Sequence, residues 1–178
     1  SEVARDSRVC LIQLDENRGI IGGMRVCLEN ATGKYVIPLD ADDLLFTDAL
    51  QVCAQAIQEQ GFPKFLYTDE DHYSNDKPRS PFQRPDWDPI LNQSGSYIWH
   101  LCAFDREMAL ELGVYSDAGA NYCHDWDTVF RFARAGVSPH HVPEIVYHWR
   151  THAGSHTNRR ERHPGSLQSQ RHVLQTQI

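Results

Sequence analysis

KYVIPLDADD, residues 34–43, decides how the rest of the chain is read. Tyr35, Val36, Ile37, Pro38 and Leu39 make a short apolar run that leads straight into Asp40, Asp42 and Asp43. A continuous apolar run bounded by breakers is the pattern of a strand buried on both faces, as in a parallel sheet. In open α/β sheets ligands bind in the crevice at the carboxyl ends of strands, which is where these acids fall. Three clustered carboxylates repel one another, and a hard divalent cation such as Mg²⁺, Mn²⁺ or Ca²⁺ would relieve that repulsion. The ordinary alternative is a polar turn whose Asp caps the next helix.

Outward from this stretch, the same pattern recurs on both sides. Residues 9–14 (VCLIQL) read as a preceding strand, followed by a polar turn at Asp15–Gly19. A helix over residues 20–31 follows, with Gly33 to stop it. Downstream, Thr47 is placed to cap a second helix in which Leu50, Cys53, Ala54 and Ile57 recur at helical spacing and Gly61 ends it. Residues 64–68 (KFLYT) then read as a strand ending in Asp69, Glu70 and Asp71. The resulting β-α-β-α-β order predicts a parallel sheet with right-handed crossovers. It also predicts that two strands deliver carboxylates to one edge.

Between Asn75 and Gly95, the four prolines Pro78, Pro81, Pro85 and Pro89 argue for an irregular but ordered loop, anchored by Phe82 and Trp87. A strand over 97–104 and a short helix over 106–112 follow. The helix opened by His124, Asp125, Trp126 and Asp127 places Trp126, Val129, Phe130 and Ala133 on its apolar face. Short extended pieces cover 138–142 and 144–149. Beyond His152 the polar, Gln/His/Arg-rich sequence reads as a tail or linker, 156–178, outside a domain of residues 1–155. There is no internal repeat.

Composition limits the function classes. With 178 residues the chain suffices for one domain with a sizeable core. The formal charge of −7 argues against nucleic acid as a partner, although Arg150, Arg159, Arg160, Arg162 and Arg171 make the C-terminal end locally basic. No apolar run is long enough to span a bilayer, and no signal peptide opens the sequence. The five cysteines, Cys10, Cys27, Cys53, Cys102 and Cys123, stand singly, mostly within apolar runs, which predicts buried reduced thiols in a cytosolic compartment. Lys34 is not a P-loop lysine, because the preceding residues lack the first glycine and the following Ser/Thr. His148, His152 and His156 stand at helical spacing, but Gly154 and Ser155 weigh against a helical zinc site there.

Taken together and in order, the motifs resemble family 2 glycosyltransferases of the nucleotide-sugar-dependent GT-A fold. Asn17-Arg18-Gly19-Ile20, Ala31-Thr32-Gly33-Lys34-Tyr35 and Leu39-Asp40-Ala41-Asp42-Asp43 are similar to that family's N-x-G-I, A-T-G-E-[YF] and L-D-x-D-D blocks. Tyr67-Thr68-Asp69-Glu70-Asp71 resembles Y-S-D-E-D, Arg84-Pro85-Asp86-Trp87 resembles K-P-D-W, and His124-Asp125-Trp126-Asp127 resembles [EQ]-D-[YW]-D. Pro143-Glu144 with Tyr147-His148-Trp149-Arg150 completes the set, and the closest subgroup makes bacterial surface polysaccharides. Arg25 stands where the family often has Asn, and His124 where Glu or Gln is usual.

The resemblance implies a Rossmann-like, mostly parallel α/β sheet flanked by helices and lacking its first β-α unit. It implies an inverting, metal-dependent transfer of a sugar from a nucleotide diphosphate sugar to a glycan or lipid-linked acceptor. The cofactor would be Mn²⁺ or Mg²⁺. Asp42 would be the direct metal ligand, with Asp40 on ribose or metal and His148 completing the coordination. Asn17, Gly19, Arg25 and Asp40 would hold the donor, and Asp125 would be the base. Asp69, Glu70, Asp71 and Trp126 would face the acceptor. The setting would be cytoplasmic, at the inner face of a bacterial plasma membrane with peripheral association. Two other classes fit the acids: a non-catalytic remnant that binds glycans or partners, and a Mg²⁺-dependent phosphoryl or nucleotidyl transferase.

Overall fold

The structure, a computed structural model, describes residues 6–151 and 164–178. The elements in chain order are α1 (Gly19–Asn30), β1 (Tyr35–Val36), β2 (Leu44–Leu45), α2 (Ala49–Glu59), β3 (Phe65–Ser74), β4 (Lys77–Phe82), α3 (Pro89–Ser94), β5 (Cys102–Asp105), α4 (Arg106–Glu111), α5 (His124–Arg134), β6 (His140–Arg150) and α6 (Pro164–Gln177). A single 3₁₀ turn, Ala118–Ala120, precedes α5.

The sheet runs β1-β5-β3-β6-β2, and β4 pairs with β3 as a hairpin. It is mixed rather than mostly parallel. Only β3 and β6 pair in parallel among the described strands; β5 is antiparallel to both β1 and β3. The expected common direction of β1 and β3 therefore survives, with an opposed strand inserted between them.

Side-chain alternation on β3 divides the core. Phe65 and Tyr67 enter one cluster with Phe104, Phe132, Trp126 and Leu28, under α1, α4 and α5. Leu66 faces the other cluster with Ala49, Cys53, Val146 and Tyr147, under α2. On α5 Trp126, Val129 and Phe130 are buried as expected, Phe132 is buried as well and Ala133 only partly, and Gly136 ends the segment at φ +83°.

Several expectations are corrected. Residues 9–14 pair with nothing among the described strands, and Val9 and Leu11 are 48% and 86% exposed, so no strand forms there. Asp48 rather than Thr47 occupies the N-cap of α2. The loop expected between Asn75 and Gly95 begins with a hairpin. Asn75 and Asp76 both have positive φ, the geometry of a type I′ turn, and β4 tolerates Pro78 and Pro81 because it is an exposed edge strand. Of the strand expected over 97–104 only Cys102–Asp105 forms, while the two pieces around Pro143 are one strand with register shifts.

The polar end, read as a tail, carries α6. Val173 is fully buried, Gln177 Nε2 donates to Asp127 Oδ1 at 2.8 Å, and His172 Nε2 lies 2.8 Å from Asp117 Oδ2. Its sparse apolar residues hide it from a periodicity reading. Residues 156–163 of that tail, and His152 and His156 of the zinc reading, lie outside the described residues. Cys53, Cys102 and Cys123 are buried, as expected, whereas Cys10 and Cys27 are exposed; all five are free. Among the described residues no helix is long and apolar enough to cross a membrane.

Candidate functional site

The antiparallel pairing of β1 with β5 creates the site. Val36 lies opposite Phe104, so the chain leaving β1 towards Asp40 meets the chain that enters β5 through Trp99 and His100. The N-terminal turn of α5 closes the third side. Asp40, His100, Tyr115, His124 and Asp125 consequently line one cavity, floored by Phe65 and Phe104. Asp40 and Asp125, far apart in sequence, line the same cavity.

Asp40, Asp43 and His100 offer ligand atoms that all lie within 4.8 Å of one another. Asp40 is largely exposed, with its Oδ2 3.8 Å from His100 Nε2. Asp43 is buried. Its Oδ2 accepts from the Tyr147 hydroxyl at 2.6 Å and its Oδ1 from the Arg150 N–H at 2.8 Å. Burial pushes the Asp43 carboxyl up, despite those hydrogen bonds. Burial alone would lower the His100 imidazole, but the hydrogen bond and charge of Glu70, with Asp125 and Asp40 nearby, raise it overall. Two carboxylates with one imidazole are donors that a divalent ion accepts.

This group differs from the expected ligand set. Asp42 stands outside it, and Asp43 and His100 are inside. His148 is outside the group, its Nδ1 2.5 Å from Asp71 Oδ1 and its ring tilted at 33° against Phe46 with centroids 4.1 Å apart. One signal for His100 was present in the sequence: a lone imidazole interrupting the apolar run YIWHLCAF.

The acids expected on the acceptor side are inside the sheet, because β3 continues to Ser74 instead of ending at Thr68. Asp69 Oδ1 accepts from the Arg84 N–H at 2.9 Å and lies 2.9 Å from His141 Nε2. Glu70 Oε1 is 3.0 Å from Arg84 Nη2, with both side chains wholly buried. That contact is an ion pair without good hydrogen-bond alignment, since neither atom has a hydrogen-bond partner. Trp126 is largely buried, its Nε1 donating to the Asn92 carbonyl at 2.8 Å, but it also lines a cleft that reaches Asp125.

Of the expected donor residues, Asn17 shapes the entry to α1, its Oδ1 accepting from the Gly19 N–H at 2.8 Å, and Gly19 takes φ +69°. Arg25 is held by Glu29 at 2.6 Å and by the Val114 carbonyl at 3.1 Å, away from the cavity lining. Asp125 sits in the first turn of α5, half-buried, with His124 Nε2 3.2 Å from its Oδ1. A second, wider cleft, lined by Ser94, Tyr122, Gln170 and Leu174, shares Trp99 and Asp125 with the first cavity.

Comparison with known proteins agrees with this architecture. The model of Glycosyl transferase family 2 matches residues 1–113. The chain is 31% identical over 160 residues to the O-antigen biosynthesis protein RfbC of Myxococcus xanthus, covering 87% of this chain and 12% of RfbC. It is 30% identical over 178 residues to the uncharacterized protein y4gI of Sinorhizobium fredii, covering 98% of this chain and 20% of y4gI. The chain therefore spans a fifth or less of those curated relatives. Among solved structures, S. aureus TarS 1-349 in complex with UDP-GlcNAc superposes with a TM-score of 0.67 at 15% identity, covering 91% of this chain and 48% of that one. A second structure, of S. aureus TarS, gives 0.61 at 16% identity, covering 78% of this chain and 26% of that one. At such identities the likeness shows the shared GT-A fold alone. With a family model that covers more than half its length, this chain belongs to glycosyl transferase family 2.

Proposed function

We propose that this chain is the catalytic core of an inverting, metal-dependent glycosyltransferase that moves a sugar from a nucleoside diphosphate sugar to a glycan or lipid-linked acceptor. The observation that carries this reading is the meeting of Asp40 and Asp125 in one cavity, from opposite halves of the chain. The structure of TarS with UDP-GlcNAc supports a nucleotide-sugar donor, and RfbC supports a role in surface polysaccharide synthesis. Lipid-linked acceptors would place the work at the inner face of a plasma membrane.

Asp40, Asp43 and His100 would hold the divalent ion, Mn²⁺ or Mg²⁺. When bound, such an ion supplies Lewis-acid stabilisation of the charge that develops on a departing diphosphate. The remaining chemistry belongs to side chains. Asp125 takes the proton from the acceptor hydroxyl at a carboxylate oxygen. The acceptor oxygen bonds to the anomeric carbon as the bond from that carbon to the phosphate oxygen breaks, which inverts the centre. His124, 3.2 Å from Asp125 Oδ1, orients the carboxylate. The wider cleft that shares Trp99 and Asp125 with the first cavity admits the acceptor.

In the full-length protein, Asp125→Asn is expected to lower kcat by about 100- to 10,000-fold with donor affinity unchanged. Normal turnover in that variant overturns the assignment of the base. Hydrolysis of a nucleotide without sugar transfer to any acceptor would point to the phosphoryl-transfer reading.

A further inference from the structure

We infer that His100 is a nitrogen ligand of the divalent cation and that buried Glu70 is the residue that positions it, an inference that rests on the metal-dependent reading above. His100 Nδ1 lies 3.0 Å from Glu70 Oε2, and Glu70 Oε1 is held by Arg84 in a wholly buried pair. A carboxylate so paired is an acceptor only, so Nδ1 carries the proton of the neutral ring and Nε2 presents its lone pair. That lone pair faces Asp40 Oδ2 across 3.8 Å. The gap is too long for a hydrogen bond. Two ligands of one small cation, each about 2.1 Å from it, stand no more than about 4.2 Å apart, and this pair fits within that span.

Tyr147 fixes the third ligand to the second. Its ring stacks on His100 with centroids 4.8 Å apart and planes 9° apart, while its hydroxyl donates to Asp43 at 2.6 Å. Glu70, His100 and the cation site thus form the carboxylate–histidine–metal arrangement in which an outer carboxylate sets the tautomer and aim of the ligand. The consequence is chemical selectivity. An imidazole nitrogen beside two carboxylates favours a first-row transition ion such as Mn²⁺ or Co²⁺ over Mg²⁺, which prefers all-oxygen ligation.

The test uses the full-length protein with Mn²⁺ and inorganic pyrophosphate, a diphosphate that contains no nitrogen. Electron spin-echo modulation of bound Mn²⁺ is expected to show directly coupled ¹⁴N in the wild type and none in His100→Gln. Calorimetry is expected to show His100→Gln binding Mn²⁺ about 10- to 100-fold more weakly, with Mg²⁺ affinity little changed. Glu70→Gln keeps the acceptor oxygen and removes the charge, so it should retain the nitrogen signal and lose about tenfold in Mn²⁺ affinity. Mn²⁺ that binds in an Asp40-dependent manner with no nitrogen coupling, or a signal unchanged in His100→Gln, overturns the role of His100 and leaves the metal-dependent reading standing. No Mn²⁺ binding to folded wild type, judged by an unaltered circular dichroism spectrum, overturns both.

Discussion

Two acidic triplets in this chain look alike on paper and behave as opposites. Asp40, Asp42 and Asp43 follow a strand that stops after two residues, and Asp40 stands in the wall of a cavity. Asp69, Glu70 and Asp71 lie within a ten-residue strand, and each is buried against a basic or imidazole partner from elsewhere: His141 and the Arg84 backbone, Arg84 with His100, and His148. The difference is made by what arrives from a distance. Pairing with β6 along the whole of β3 seals the second triplet into the sheet, while the first leaves its strand before any ladder can cover it. In this chain the run of carboxylates that the ladder leaves uncovered is the one that reaches a cavity.

The sharpest way to break this contrast is to remove one acid of each kind. Glu70→Ala leaves Arg84 as an uncompensated charge in a wholly buried position and should cost about 3–5 kcal/mol of stability, read from urea unfolding. Asp69→Ala strips acceptors from the Arg84 N–H and His141 and should cost about 1–3 kcal/mol by the same measurement. Asp40→Ala, at a largely exposed carboxylate, should stay within about 0.5 kcal/mol of the parent, yet weaken Mn²⁺-dependent binding of a nucleoside diphosphate by calorimetry. If Asp40→Ala unfolds the protein and Glu70→Ala does not, the distinction between the triplets collapses.

A third kind of acid sharpens the comparison with the smallest effect. Burial would raise the Asp117 carboxyl, but the hydrogen bonds from His172 and the Gly119 N–H, with the charges of His172 and Arg131, hold it below the usual range. A carboxyl depressed in the folded state contributes stability above its unfolded value near about 3.9, and that contribution is lost as pH falls through the lower folded value. The protection factors of the α6 amides, taken against intrinsic exchange rates at each pH, should therefore fall below about pH 4, and Asp117→Asn should remove that dependence.

Much of this was legible in the sequence because local rules and tertiary packing agree there. Helix α5 has its apolar face and its terminating Gly136, and the acids after β1 were marked by an apolar run that ends abruptly. Other features depend on partners that a local pattern does not contain. Prolines in β4 mimic a loop, since an edge strand needs only half its hydrogen bonds. The length of β3 was masked by its acids, which are polar in sequence and neutralised only by residues distant along the chain. Residues 9–14 are apolar enough for a strand but have no strand beside them, and α6 docks through Val173 and a few polar contacts instead of a stripe.

The insertion of β5 between β1 and β3 carries a consequence for biosynthesis. Tyr35 waits for Asp105 and Leu66 for His140, so the sheet cannot close until the chain has been synthesised beyond β6. Until then β1 and β3 each expose a bare edge, the state most open to capture by another nascent chain. Pairings so distant in sequence are slow to form because loop closure must precede any gain from contact.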